Sequence, residues 1–338
     1  MKRWDDTTDN NKSFNATNLG LESFHNHLRD FSTNYPEFNV LLNKNNILGG
    51  SSLKFKQFIL ANEENSIIQK YLVDVIQKLS IWVDSKFYLE VPLIYPYSVR
   101  ERTTSQDRRR GVEDNWGASN ELGFIIDDNS MIKDFIRNYP IKNNFYYGID
   151  KPKKGFIACH LWENTTTNHK LFSFIPNICW LPTPIARLSD EHSSLFSKLL
   201  KIISSSYYRK IEPKSPKMSS IVNNNWNLLK LDDKENVIPF KLNFNYNELC
   251  FSIQPIERKI KLIKDIKKIL AFIDKYSKNS SKEIFDNTKL LHKRYKSTLS
   301  DLLKSNPESI NYFKNWMIEY LDALEDNFSY QNQSELFV

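Results

Sequence analysis

The sequence predicts an α+β protein in which a central hairpin-and-helix unit is flanked by helical N- and C-terminal regions. Three observations lead there. The flanks carry apolar residues at helical spacing, the middle carries short aromatic or β-branched runs bounded by turn residues, and the composition shifts at each boundary. At 338 residues the chain is long enough for about two domains of roughly 150 residues each. Hydrophobic residues make up 40% and aromatic residues 13%, which excludes a disordered chain.

Residues 1–20 are polar and Asn-rich and read as a disordered tail. Residues 21–97 read as helical: Ile67, Ile68, Tyr71, Leu72, Val75, Ile76 and Leu79 fall on one stripe of a 3.6-residue helix, and Pro92 and Pro96 close the region. Residues 98–118 read as a basic linker with Arg100, Arg102, Arg108, Arg109 and Arg110, whose guanidinium forks suit phosphate oxygens. Within 119–210, strands are expected over Leu122–Ile126, Phe145–Tyr147, Gly155–Trp162 and Phe174–Leu181. Ser189 then caps a helix, with Asp190 and Glu191 at its positive end. Residues 211–235 read as a Pro/Ser/Asn linker, and Val237–Phe244 with Leu249–Ile253 as a hairpin. Helices follow over Ile260–Ile273, Ile284–Leu303 and Ile310–Leu324, the last opened by Pro307.

Composition removes several function classes. Only eight glycines are present, and neither GxGxxG nor GxxxxGK[ST] occurs, so dinucleotide and P-loop sites are not expected. Three cysteines (Cys159, Cys179 and Cys250) make no disulfide framework and no four-thiolate zinc cage. The opening MKRWDDTTDNNK has no apolar run, and the longest uncharged stretch, Leu171–Ala186, is broken by prolines. A cytoplasmic protein with no membrane partner is expected. Lysine and arginine number 47 against 40 acids, a formal charge of +7, with a pI near 9.0; this favours a polyanion partner. Lys153 and Lys154 before the central strand join Arg108, Arg109 and Arg110 as nucleic-acid-binding candidates. The stripe Arg258, Lys259, Lys261, Lys264, Lys267 and Lys268 extends the same reading.

Among six histidines, His25, His27 and His292 read as surface residues, as do His169 and His192. His160 differs, because it sits inside the apolar strand Gly155-Phe-Ile-Ala-Cys-His-Leu-Trp162, with Asn177 opening a second strand and a capped helix beyond. Phosphodiester hydrolysis needs a water deprotonated near neutral pH, which imidazole can do, and a cation against the phosphate. Magnesium takes oxygen ligands, so Asn or Asp is the expected coordinating chemistry. Trp162 and Trp180 read as core packing.

The stretch KGFIACHLWENTTTNHKLFSFIPNICWLPTPIARLSDEH resembles the ββα-metal unit of HNH (His-Me finger) endonucleases, especially restriction-type members with a C/S-H-[IL]-W … P-N-[LI]-x-W-L-P … L-[ST]-D arrangement. Asp127–Phe135 resembles a block that precedes that motif, and the similarity covers residues 114–210. The resemblance implies a metal-dependent DNA endonuclease in restriction or anti-phage defence, using one Mg²⁺ or Mn²⁺. His160 would be the general base. Asn177 would either anchor the His-bearing loop or ligate the metal, and Asp190 would be the additional ligand. Two positions depart from the pattern. Cys159 replaces the aspartate that usually precedes the base, and Ala186 stands near the usual helix ligand, so Asp190, Asp127, Asp128 or Glu163 must supply oxygens, with Asp128 joining Asp190 and Asn177 as metal candidates. Partners implied are DNA, a second copy of the chain or other defence proteins. The alternatives are a nucleic-acid-binding protein that has lost its metal, and a helical subunit of a larger assembly.

Overall fold

The computed structural model describes residues 19–47, 52–101, 115–127, 129–136, 155–229, 250–251, 255–277 and 293–335. Four helices come first: α1 (Leu19–Asn34), α2 (Pro36–Lys44), α3 (Ser52–Leu60) and α4 (Ser66–Leu79). Every residue of the stripe read from the sequence is buried along α4, and Asn65 caps that helix by accepting from the Ile67 N–H. Phe31, Phe38 and Tyr71 lock the first helices together, with Phe38 stacked on Tyr71 at 4.7 Å and edge-on to Phe31 at 5.0 Å. His27 is buried among them and bonds Asp74 at 2.8 Å, so it is a core residue rather than the expected surface one.

The central region mixes very short strands with helical turns: β1 (Trp82–Val83), α5 (Ser85–Glu90), β2 (Ser98–Val99), β3 (Ile125–Ile126), α6 (Ser130–Phe135) and β4 (Phe156–His160). Then come α7 (His169–Phe172), a 3₁₀ turn (Ile175–Asn177), β5 (Ile178–Pro182), α8 (Thr183–Ala186) and α9 (Leu195–Tyr208). Strands β4 and β5 are antiparallel over five residue pairs, from Phe156 with Pro182 to His160 with Ile178. Ile81 bonds Trp180 from the far side of β5, and β2 pairs with β3 in parallel. Ser98 and Val99 are therefore core residues, not the start of a solvated linker. The helix expected at Ser189 begins instead at Leu195, capped by Ser194, whose hydroxyl accepts from the Ser197 N–H. Ser189 donates to the Ala186 carbonyl at 2.7 Å and closes a turn.

Beyond residue 210 lie α10 (Pro216–Leu228), β6 (Cys250–Phe251), α11 (Pro255–Ser277), α12 (Lys293–Ser305) and α13 (Pro307–Glu335). Helix α10 occupies part of the expected linker: Ser215 is its cap, Pro216 its first residue, and Met218, Ile221, Val222, Asn225 and Trp226 its buried face. Residues 237–244 of the expected hairpin lie outside the described residues, and β6 pairs in parallel with β1. The basic stripe on α11 is interrupted, since Arg258 and Lys259 are buried. Arg258 donates to the Ile94 carbonyl at 2.7 Å, and Lys259 pairs with Glu90 at 3.0 Å.

One hydrophobic core runs from Phe24 to Leu324 through all these regions. Its seam is the Pro-containing segment 89–97, whose backbone groups are collected by distant elements. Ile94 N–H donates to the Ser173 carbonyl, and Ile175 N–H to the Pro92 carbonyl. Trp316 on α13 donates to the Pro96 carbonyl at 2.9 Å, and the Tyr320 hydroxyl meets both the N–H and the carbonyl of Leu93. Buried backbone groups need partners, and prolines prevent this segment from pairing with itself. The C-terminal helices thereby hold the floor on which the β4–β5 loop sits. Among the described residues no helix is long and apolar enough to cross a membrane.

Candidate functional site

His160 is the last residue of β4, where the chain leaves the hairpin and enters the loop that returns at Asn177. The loop is held from both ends. Asn177 is fully buried, and its Oδ1 accepts from the Leu161 and Trp162 N–H groups at 3.2 and 3.1 Å, while its Nδ2 donates to the Leu171 carbonyl at 3.0 Å. Both lone pairs of that oxygen are thus taken by backbone donors. Asn177 ties the two ends of the His-bearing loop together, and its amide oxygen is engaged by backbone donors and does not line the cavity described below.

Asn168 caps α7 by accepting from the Lys170 N–H, and the last carbonyls of that short turn have no partner within it. His160 supplies one. Its Nε2 lies 2.9 Å from the Phe172 carbonyl, and the two rings stack at 5.3 Å. A carbonyl can only accept, so Nε2 carries the proton and Nδ1 is the basic nitrogen. Burial pulls the imidazole pKa down to about 4; the Phe172 bond opposes the shift, and the Arg100 guanidinium adds to it. The half-buried ring is neutral at pH 7, the form that can take a proton.

His160 lines a cavity of about 590 Å³ together with Cys159, Glu163, Asn164, Asp190, Ala186, Asn129, Arg100, Arg187 and His192. The structure therefore brings His160 and Asp190 into one cavity and leaves Asn177 behind it. Desolvation raises the Asp190 carboxyl above the usual range, against the pull of Lys56, Arg187 and His192. Asn129 is held at φ 80°, a backbone state that Asn tolerates, and its Nδ2 donates to the Ala158 carbonyl at 3.1 Å while its Oδ1 has no hydrogen-bond partner among the described residues. Asp127 is buried and caps α6, accepting from the Ser130 hydroxyl at 3.0 Å and the Met131 N–H at 3.3 Å, so it is a structural carboxylate. Asp128, Arg108, Arg109, Arg110, Lys153 and Lys154 lie outside the described residues.

Among the described residues no group of three or more His, Cys, Asp and Glu side chains is arranged to hold a metal ion. The side-chain oxygens of the residues that line the cavity come from two carboxylates, Asp190 and Glu163, two amides, Asn129 and Asn164, and two hydroxyls, Ser130 and Thr166. Magnesium characteristically takes one or two protein carboxylates and keeps several waters, so this sparse set fits a hard cation better than a zinc-like one.

Sequence reasoning missed Arg187 and Asn129 as cavity residues and read His192 as surface. Arg187 and His192 sit in the segment flanking Asp190, where their nearness to it was the available signal. Asn129 and Arg100 reach the cavity through the docking of α6 and the β2–β3 pairing, which no local pattern reveals. His169 is packed among Phe124, Tyr312 and Trp316 and does not line the cavity. Trp162 and Trp180 are buried, as expected. No protein-family model, no curated protein and no solved structure matches this chain.

Proposed function

We propose that the chain is a metal-dependent DNA endonuclease of the HNH type, with the β4–β5 hairpin and the helical turn after it forming a ββα-metal unit. The observation that carries the reading is the fixed tautomer of His160: Nε2 is held by a carbonyl, which leaves Nδ1 a neutral acceptor on a ring lining an open cavity. His160 Nδ1 takes a proton from a water, the resulting hydroxide attacks phosphorus in line, and the 3′-oxygen leaves. Arg100 and Arg187 offset the phosphate charge. Asp190, with Asn129 or Glu163, would hold one Mg²⁺ or Mn²⁺. When bound, the cation stabilises the crowded phosphate and the departing oxygen. Restriction or anti-phage defence, and assembly with a second copy or other defence proteins, follow from the family resemblance alone.

A plasmid-cleavage assay with Mg²⁺ or Mn²⁺ tests this. Wild type is expected to nick or linearise the plasmid, His160→Ala to lose roughly 10²–10⁴-fold of the rate, and Asp190→Ala to need more metal while still binding DNA. Equal cleavage by wild type and His160→Ala overturns the role of His160. The absence of a three-ligand cluster among the described residues favours a second reading, a DNA-binding protein without catalysis. DNA retention by both proteins with cleavage by neither establishes that one.

A further inference from the structure

Strands β4 and β5 set two thiols directly opposite each other, and the hydrolytic reading gives neither a task. Cys159 is the register partner of Cys179. The Leu161 N–H bond to the Asn177 carbonyl, two residues further along, makes Cys159 and Cys179 a hydrogen-bonded pair. Such partners have side chains on one face and Cα atoms about 5.5 Å apart. A disulfide spans roughly 4.4–6.8 Å between Cα atoms and about 3.5–4.5 Å between Cβ atoms, so closure draws together two Cβ atoms that lie about 4.5–5.5 Å apart in such a pair. Both cysteines are free, and the Cys159 thiol donates to the Ile157 carbonyl at 3.6 Å. Their access differs. Cys179 is sealed at 0% exposure, whereas Cys159, at 6%, lines the His160 cavity.

We propose that Cys159 and Cys179 are an oxidisable cross-strand dithiol, closed to a disulfide by a small peroxide that enters through the His160 cavity. The Cys159 thiolate attacks one oxygen of hydrogen peroxide and the O–O bond breaks. The released hydroxide takes a proton to become water, leaving a sulfenic acid. The Cys179 sulfur attacks that sulfur, the S–S bond forms, the S–O bond breaks, and the thiol proton leaves with the hydroxyl as a second water. In sum, two thiols and one hydrogen peroxide give one disulfide and two waters; the sulfurs are oxidised and the peroxide is reduced. Burial and the adjacent Cys159 push the Cys179 thiol well above its ordinary range, so the first attack belongs to Cys159. The bond would tie the two strands one residue from His160. The proposal stands independently of the nuclease reading, because it is read out by peptide mass rather than by cleavage.

The test treats the folded, reduced full-length chain carrying Cys250→Ser with hydrogen peroxide, blocks remaining thiols with iodoacetamide after unfolding, and maps the peptides. The expected result is loss of both alkylatable thiols per chain and a Cys159–Cys179 linked peptide, both reversed by dithiothreitol. In a Cys179→Ser companion the link is absent and Cys159 is captured as sulfenic acid by dimedone. Two alkylated thiols at peroxide levels that exhaust an exposed model thiol overturn the proposal, as does sulfinic acid at Cys159 with Cys179 still alkylatable. If Cys250→Ser does not fold, the wild-type chain mapped the same way decides between these outcomes.

Discussion

Replacing Asn177 by alanine separates a loop anchor from a metal ligand. The substitution deletes three side-chain hydrogen bonds, but the consequences differ among their partners. Leu161 N–H keeps its bond to the Asn177 backbone carbonyl, and the Leu171 carbonyl still receives the Phe174 N–H at 3.2 Å. Only the Trp162 N–H, on a residue 7% exposed, is left with no partner in place of the lost amide. An orphaned buried donor costs about 1–3 kcal/mol and each of the two further lost bonds up to about 1 kcal/mol, so the sum is about 1–5 kcal/mol. For a chain of this size, with an unfolding entropy of about 2.1 cal/mol/K per residue, that corresponds to a fall of about 1–7 °C in Tm. Urea unfolding followed by tryptophan fluorescence, read at constant m-value, measures it directly. Asn177→Asp discriminates further, because it keeps the acceptors but turns the Leu171 contact repulsive and buries a charge. If the alanine variant stays within ~0.5 kcal/mol of wild type, or the aspartate variant binds Mg²⁺ more tightly at unchanged stability, the anchor reasoning is wrong.

The folded-state pKa of His160, about 4, lies below the ordinary histidine value, so the unfolded chain binds more protons between about pH 4 and 6.5 and stability falls as pH drops through that window. His169, also at about 4, acts in the same direction; unfolding at pH 7 and pH 5 should therefore show a smaller acid loss in His160→Ala than in wild type, and an equal loss would contradict the burial assigned to the ring. Glu90→Ala removes the carboxylate that pairs with the fully buried Lys259 ammonium and is expected to cost about 3–5 kcal/mol by denaturant titration, with Glu90→Gln costing less because its amide oxygen still accepts. Gly20 on α1 rests against Gly155 at the foot of β4, where an added methyl overlaps the Gly155 carbonyl. Gly20→Ala should lose about 1–3 kcal/mol, and a Tm equal to wild type would mean that α1 does not dock there.

Elements were legible where one segment carried its whole signal. The α4 stripe, the Pro307 start of α13 and the apolar strand that carries His160, expected to reach Trp162 but ending at His160, are all local patterns of spacing and capping. Elsewhere local chemistry pointed astray. Ser215–Pro216 looks like linker punctuation, yet it is a cap and a first-turn proline, and the buried run from Met218 to Trp226 shows why a helix follows. Ser189 and Ser194 both precede apolar residues, but only Ser194 has its hydroxyl on a helical N–H. The remaining misses are long-range. Arg258 and Lys259 read as a basic face because their partners, Ile94 and Glu90, lie 164 and 169 residues away. For the candidate site, His160 and Asn177 stand out locally in the hairpin, whereas the cavity residues Arg100 and Asn129 arrive through tertiary docking.

The grip of α13 on the proline segment has a consequence for biosynthesis. Leu93 and Pro96 emerge from the ribosome long before Tyr320 and Trp316, their partners 227 and 220 residues downstream. Until those rings arrive, the nascent chain carries bare backbone groups beneath the future hairpin. Maturation of the centre thus waits for α13 to be made, and a product cut before Pro307 should be degraded by trypsin at the hairpin loop as readily as an unfolded chain.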